Sequence, residues 1–303
     1  MRIRRFVQIL TRLGEDLVAE LKTPSMGVGQ TALFVAWMRQ LESDRPDALF
    51  RDPLAAAMLS ALAADPVLAD VAEVIKQTHT SAAGFPTYFA VRTRFFDDEV
   101  ISATLRGIRQ VVTLAAGVDG RTVRLDLPAG TRWFEVDLPE MMPFKDALIE
   151  QSGLPLACER RGVAADLRED WQAALQAAGF DPSRPTIWLI EGLLMYLTDA
   201  AGDAILAAVS ELSAPGSQLM LEHLKAAMLE EEGRPVRERV EEQGASWLSA
   251  RDDLTSWMSG HGWSARVYAG DDPRIGYGRT VAPLPACWLA TGTLTRPADD
   301  PVN

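Results

Sequence analysis

Residues 108–140 read IRQVVTLAAGVDGRTVRLDLPAGTRWFEVDLPE. An apolar run, Val111 to Leu114, enters a turn of small residues, Ala115-Ala116-Gly117. Twenty positions after Gly117 a second apolar run ends in an acid, Asp137. This is the layout of a nucleotide-binding βαβ unit. A turn without bulky side chains lets backbone approach a ligand closely. An acid at the end of the next strand can accept hydrogen bonds from both hydroxyls of a ribose.

Downstream of this unit, strand and helix patterns keep alternating. Strands are expected at about 109–115, 131–137, 156–165, 186–190, 217–223 and 286–294. Helices are expected at about 139–151, 169–178 and 199–213. The run Thr186–Ile190 is continuously apolar, as for a strand covered on both faces. Such alternation implies an α/β fold built on a doubly wound parallel sheet. Upstream, the first 105 residues read as helical: an N-terminal amphipathic helix, a periodic apolar stretch at 31–41, helices begun by Asp52-Pro53 and Asp65-Pro66, and one over 87–106. The expected organisation is one integrated domain, with a helical cover over 1–105 and the core over 106–303. Residues 225–248 break the rhythm with the charged run EEEGRPVRERVEEQ. They read either as a solvated helix pair or as an insertion over the mouth of the site.

The chain has 303 residues, 48% of them hydrophobic, enough for a large core. Its net charge of −12 argues against nucleic acid or an anionic membrane as a partner. Two cysteines, Cys158 and Cys287, stand far apart and read as reduced thiols of a cytoplasmic protein. No apolar run reaches the length of a membrane span.

In an open α/β sheet ligands bind beyond the carboxyl ends of the strands. Gly117, Asp137, Asp166 and Glu191 all fall at such ends. Their chemistry suits S-adenosylmethionine: Asp137 for the ribose diol, Asp166 for the adenine amine, Glu191 for a cationic amino group. Arg92 can supply a bidentate partner for the cofactor's carboxylate. On spacing alone it reads equally as a surface ion pair with Asp97 or Asp98. The turn also matches G-x-G-x-x-G except at its first glycine, so an NAD(P)-dependent oxidoreductase is the competing enzyme reading. Asp119 opposes it by placing negative charge where a pyrophosphate would sit.

Longer motifs carry a resemblance. TALFVAW, RPDALFRDPLA, YFAVRTRFFDD, LAAGVDGR, FEVDLPE, ADLREDW, GFDPSRPTIWLIEGLLMYL and LSAPGSQLMLEH together resemble the leucine carboxyl methyltransferase-like family of class I S-adenosylmethionine-dependent methyltransferases. The likeness covers roughly 30–295 and is nearest the bacterial branch that includes polyketide O-methyltransferases. It implies a Rossmann-like sheet of seven strands, the last antiparallel, under an N-terminal helical cover. It implies cofactor contacts from Arg92, Gly117, Asp137 with Leu138, Asp166 with Leu167, and Glu191. Two departures stand out: the family's usual glycine is Ala115 here, and its usual threonine is Gly120. Some members add a basic residue from the N-terminal region, to which no position is assigned.

A carboxylate acceptor is already ionised near neutral pH and needs no base. A hydroxyl acceptor needs one. His223, after the fifth strand, is the best placed of three histidines, although a packed or surface histidine is the commoner case. Tyr196 is expected to reach the acceptor pocket, whereas Trp188 and Met195 are expected in the core. Glu222, His223 and His261 form a conceivable metal-ligand set, but they lack helical ligand spacing and no metal is expected. The expected function is O-methylation of a hydrophobic small molecule, such as an aromatic or polyketide-like acid. A homodimer is compatible with this, and so is a methyltransferase-like binding protein without turnover.

Overall fold

The structure is a computed structural model, and it describes residues 28–64, 85–242, 245–283 and 286–295, with the backbone alone at 28–30 and 242. The expected N-terminal amphipathic helix, the Asp65-Pro66 helix start and His79 lie outside the described residues.

The strands are β1 Gln110–Leu114, β2 Arg132–Asp137, β3 Glu159–Ala164, β4 Thr186–Ile190, β5 Gln218–Leu224, β6 Trp263–Ala269 and β7 Cys287–Leu294. They form one sheet in the order β3-β2-β1-β4-β5-β7-β6. β1 to β5 run parallel, with Val111 opposite both Trp133 and Ile187. β7 lies antiparallel to β5 and β6 antiparallel to β7. The chain builds outward from β1 through β2 to β3, then returns to lay β4 on the other side of β1. That reversal opens a crevice at the carboxyl ends of β1 and β4.

Six strands lie close to their sequence expectation. β6 completes the seven strands that the resemblance implies, but the residue pattern gives it no position: Ser264 and Arg266 interrupt its apolar residues, and its exposure is mixed, so it lacks the continuous apolar signature of β1 and β4. The antiparallel β7 slots between β5 and β6, an order that hydropathy along the chain cannot encode.

Alternate strand residues fill opposite faces. Val112, Leu114, Phe134, Val136, Trp188 and Ile190 join one core. Val111, Trp133, Ile187 and Leu189 join the other. Trp133 and Trp188 are completely buried, and burying each ring contributes about 4 kcal/mol. Their N–H groups are matched by Thr113 Oγ1 at 2.9 Å and Ser213 Oγ at 2.8 Å.

Helices α1 Val28–Ser43, α2 Pro53–Ala64 and α3 Phe85–Leu105 precede the sheet. Asp52 starts α2 as its sequence predicts: Oδ1 accepts the N–H groups of Leu54 and Ala55, both at 3.1 Å. α1 packs on α3 through Phe34, whose ring stands edge-on to Phe89 at 5.4 Å. α1 also crosses the β1 turn so closely that a Cβ on Gly117 would meet Ala32 Cβ at 3.2 Å. The expected 225–248 insertion contains a 3-10 turn, Ala226–Leu229, and helix α4 Arg234–Glu242. No helix among the described residues is long and apolar enough to cross a membrane.

Candidate active site

A cavity of about 550 Å³ opens at the carboxyl ends of the parallel strands. Its lining reaches from Asp166, just past β3, to Cys287 at the start of β7. Those strands are five sheet spacings apart, so the cavity spans roughly 24 Å at ~4.8 Å per spacing. One half lies over β3, β2 and β1 and carries Asp137 and Asp166, while Glu191 follows β4 at the centre. The other lies over β5 and β7 and is largely apolar.

The turn after β1 forms the floor between them. Gly117 takes φ +47° and Ala115 φ +54°. A left-handed conformation is free for glycine but costs an alanine about 1 kcal/mol, so the departure from the family's glycine is a strained position. Asp137 holds the turn in place. Its carboxylate accepts the Gly117 N–H at 2.6 Å and the Leu138 N–H at 2.7 Å. Burial lifts this carboxyl above its ordinary value, and the two amides oppose that rise. Leu138, Asp166 and Leu167 also line the cavity. The Asp166 carboxylate is held ionised by Arg168, whose side chain is largely exposed.

Between the two halves runs a ladder of buried charges. Arg92 Nε stands 2.9 Å from Glu191 Oε1, and its Nη1 donates to Glu222 Oε2 at 2.7 Å. Arg121 Nη1 stands 2.8 Å from both Glu191 Oε2 and Asp119 Oδ2. Tyr88 donates its hydroxyl to Glu222 Oε1, and the Gly192 N–H reaches Glu222 Oε2 at 2.9 Å. Burial disfavours the charged form of Arg92, but Glu222 and Glu191 outweigh it and raise its affinity for a proton. Glu191 is driven up by burial and further down by Arg121 and Arg92, so it stays ionised.

This ladder corrects two sequence readings. The surface ion-pair alternative for Arg92 is excluded: Asp97 pairs with Arg121 and Arg124, Asp98 pairs with Arg94, and Arg92 is only 4% exposed. Asp119 does stand at the turn, but the adjacent Arg121 offsets its charge. The contrast between a sulfonium cofactor and a pyrophosphate is therefore weaker than the bare sequence implies.

The apolar half is walled by Phe34, Phe85 and Phe89 from the helices, by Leu193, Met195 and Tyr196 after β4, and by Trp247 and Leu248. Residues 245–248 line the cavity, so the insertion does reach the mouth of the site. Tyr196 reaches the cavity as expected, and burial keeps its phenol protonated. Trp188 is core as expected, whereas Met195 is buried yet lines the cavity.

His223 does not belong to this cavity. Strand alternation sends Glu222 into the site and His223 to the opposite face. There its ring faces Trp257 at 6.3 Å and Nδ1 accepts the Leu224 N–H at 2.9 Å. Burial, with Arg251 nearby, lowers its pKa to about 4. The expectation of a general base fails because a one-residue step along a strand reverses the side chain's direction.

Several cavity residues were not singled out from sequence. Arg39 of α1 pairs with Asp52 at 2.6 Å and donates to the Val118 carbonyl, so the N-terminal region does bring a basic residue to the turn. Tyr88 and Arg121 are others. Only Tyr88 carried a local signal, one helical turn before Arg92.

The donor half fits an adenosine with an amino-acid tail. Arg92 Nε and Glu191 Oε2 are buried without a well-directed hydrogen bond, although each sits within ion-pair distance of a partner. One is a cationic donor and the other an anionic acceptor, side by side, as a zwitterion requires.

Comparison with known proteins agrees with this chemistry. The leucine carboxyl methyltransferase family profile matches residues 32–210. A protein of Parafrankia sp. (strain EAN1pec), named an S-adenosyl-L-methionine-dependent methyltransferase, is 44% identical over 80% of this chain and 78% of its own length. One of Streptomyces coelicolor with the same name is 43% identical over 86% and 91%. Among solved structures, a DUF574 family protein of Streptomyces avermitilis superposes with a TM-score of 0.59 at 13% identity, covering 91% of this chain and all of that one. A Thermobifida fusca protein described as a methyltransferase gives 0.55 at 18% identity, over 80% and 94%. At those identities the structural likeness establishes the fold.

Proposed function

The chain belongs to the leucine carboxyl methyltransferase family, and from that premise we propose that it methylates a carboxylate oxygen of a hydrophobic small molecule. It is an S-adenosylmethionine-dependent methyltransferase of the class I fold. What is proposed is the acceptor and the residue roles.

The carrying observation is the pairing of an aromatic acceptor chamber with a carboxylate, Glu222, whose oxygens are already committed. Glu222 accepts from Tyr88, Arg92 and the Gly192 amide. With both oxygens engaged by these donors, Glu222 has neither one free to meet an acceptor hydroxyl. His223 faces away, and Tyr196 stays a phenol at neutral pH. A carboxylic acid substrate asks for no base, since it arrives as the nucleophile. The apolar walls strip its water and the chamber aligns it, which is where the rate would come from.

When bound, S-adenosylmethionine supplies an electrophilic methyl on a sulfonium. A carboxylate acceptor would receive that methyl without giving up a proton, and S-adenosylhomocysteine would remain as the other product. In this reading Asp137 takes the ribose hydroxyls, and Asp166 with Leu167 takes the adenine beside Leu138. Arg92 takes the cofactor's carboxylate, Glu191 its ammonium, and Gly117 lets the backbone close on it.

The test is transfer from a methyl-labelled donor to a panel of arylalkanoic and naphthoic acids, with matched phenols and primary alcohols. A carboxylate acceptor gives a methyl ester, whose label leaves as methanol in mild alkali. Label transferred only to phenols or alcohols, and stable to alkali, overturns the reading.

A further inference from the structure

We propose that the indole N–H of Trp247 is the donor that seats the acceptor, binding an oxygen next to the one that is methylated. This rests on the acceptor chamber argued above and names the polar contact within it.

Trp247 lines the cavity on its apolar side, yet its Nε1 is buried with no hydrogen-bond partner. Buried N–H groups are almost always matched, because leaving one unmatched forfeits its hydration. Trp133, Trp188, Trp257, Trp263 and Trp288 all donate to side-chain oxygens. Trp37 Nε1 is also buried without a partner, but Trp37 does not line the cavity, whereas Trp247 does. The Trp247 nitrogen lies near enough to the Tyr196 hydroxyl to influence it, but the two do not form a directed bond.

The donor is held in place. The Leu248 N–H donates to the Met195 carbonyl at 2.7 Å, and Ser249 Oγ donates to the Leu194 carbonyl at 3.0 Å. The Arg251 N–H reaches the Leu224 carbonyl at 2.9 Å. The strap bearing Trp247 is thus stitched to the turn bearing Tyr196, so the donor needs little reorganisation to meet a ligand.

The ligand chemistry follows. A neutral N–H among Phe89, Leu224 and Tyr196 selects an oxygen carried by an aromatic or alkyl body. A carboxylate offers two such oxygens. One accepts a hydrogen bond from the Trp247 N–H, which orients the plane of the group, and the other is left free as the nucleophile. A substrate lacking the first oxygen leaves the indole unmatched, and such sites discriminate strongly.

The experiment uses the full chain saturated with S-adenosylhomocysteine and labelled with ¹⁵N at its eight tryptophans. The Trp247 indole resonance is identified by its loss in Trp247→Phe. 2-Naphthoate and the neutral ketone 2-acetonaphthone are then titrated in. The expected result is a downfield shift of that resonance on adding the acid. Binding of the acid should weaken about tenfold in Trp247→Phe, with S-adenosylhomocysteine affinity unchanged. Acid that binds equally well in both proteins, or saturates the wild type without moving the resonance, overturns the proposal and leaves the carboxylate reading standing. A resonance moved by the ketone and not by the acid supports Trp247 as the donor and sinks the carboxylate acceptor. A resonance moved by neither overturns the proposal, and because the wild-type spectrum is read in its own right, a poorly folded variant does not remove the test.

Discussion

Arg92 and Glu222, 130 positions apart in the chain, meet at 2.7 Å on the cavity floor, both nearly inaccessible to water. Arg92 comes from the helix before β1 and Glu222 from β5, so the pair ties the helical cover to the second half of the sheet. It also fixes the guanidinium that the cofactor's carboxylate would use. Breaking a buried pair leaves an unmatched charge, which costs about 3–5 kcal/mol. Glu222→Leu should therefore destabilise strongly, and Arg92→Met with Glu222→Leu should cost less than the two single changes summed. Urea unfolding of the four proteins checks this; strict additivity would show that the pair is not coupled.

Ala115 occupies a left-handed position at φ +54°. Ala115→Gly should gain about 1 kcal/mol from relieved strain, offset in part by the freer unfolded chain. It also removes a methyl from the cofactor side of the turn, so S-adenosylmethionine should bind several-fold tighter. Thermal unfolding and calorimetry measure both. A lower Tm with weaker binding would mean that the alanine methyl is a packing contact.

Gly120 makes room for a buried carboxylate. A Cβ there would lie 2.3 Å from Asp52 Oδ1, and Asp52 both caps α2 and holds Arg39. Gly120→Ala should cost about 1–3 kcal/mol. In an Asp52→Ala background the same change should cost little. An equal cost in both backgrounds would place the conflict elsewhere.

Asp137 receives two amides of the cofactor turn. Asp137→Asn keeps the shape but removes the ionic acceptor, and S-adenosylmethionine affinity should fall at least about tenfold while the fold survives. Calorimetry with circular dichroism separates the two effects. Unchanged affinity would remove Asp137 from the cofactor site.

His223 is held neutral, with a pKa of about 4 against 6.5 for a free imidazole. Its depressed value means that the unfolded chain binds this proton first. The stability it contributes is complete above about pH 6.5 and is lost as pH falls toward 4, by about 3 kcal/mol in all. Between pH 7.5 and 5 the wild type should lose roughly 2 kcal/mol more than His223→Asn. Parallel pH profiles would show that His223 titrates normally. Because His223 faces away from the cavity, methyl transfer by the variant should match wild type where both are folded.

Much of the donor half was legible along the chain. Gly117, Asp137, Leu138, Asp166, Leu167 and Glu191 all line the cavity, because a parallel strand delivers its last residues to one end of the sheet whatever surrounds it. The acceptor half was less legible. Tyr196 was anticipated, but Tyr88, Glu222 and Trp247 enter from α3, β5 and the strap, with no common spacing to announce them.

Hydrophobic periodicity and turn chemistry, local properties of the chain, determined the strands β1 to β5, the capped start of α2, the small-residue turn and the acids at strand ends. Longer motifs in the same chain determined the family. Tertiary structure alone decided that β7 enters between β5 and β6, that Arg92 answers to Glu222 rather than Asp97, and that His223 turns away while Glu222 turns in. The physical reason is that adjacent strand residues point to opposite faces, and only strand order and register say which face meets the ligand.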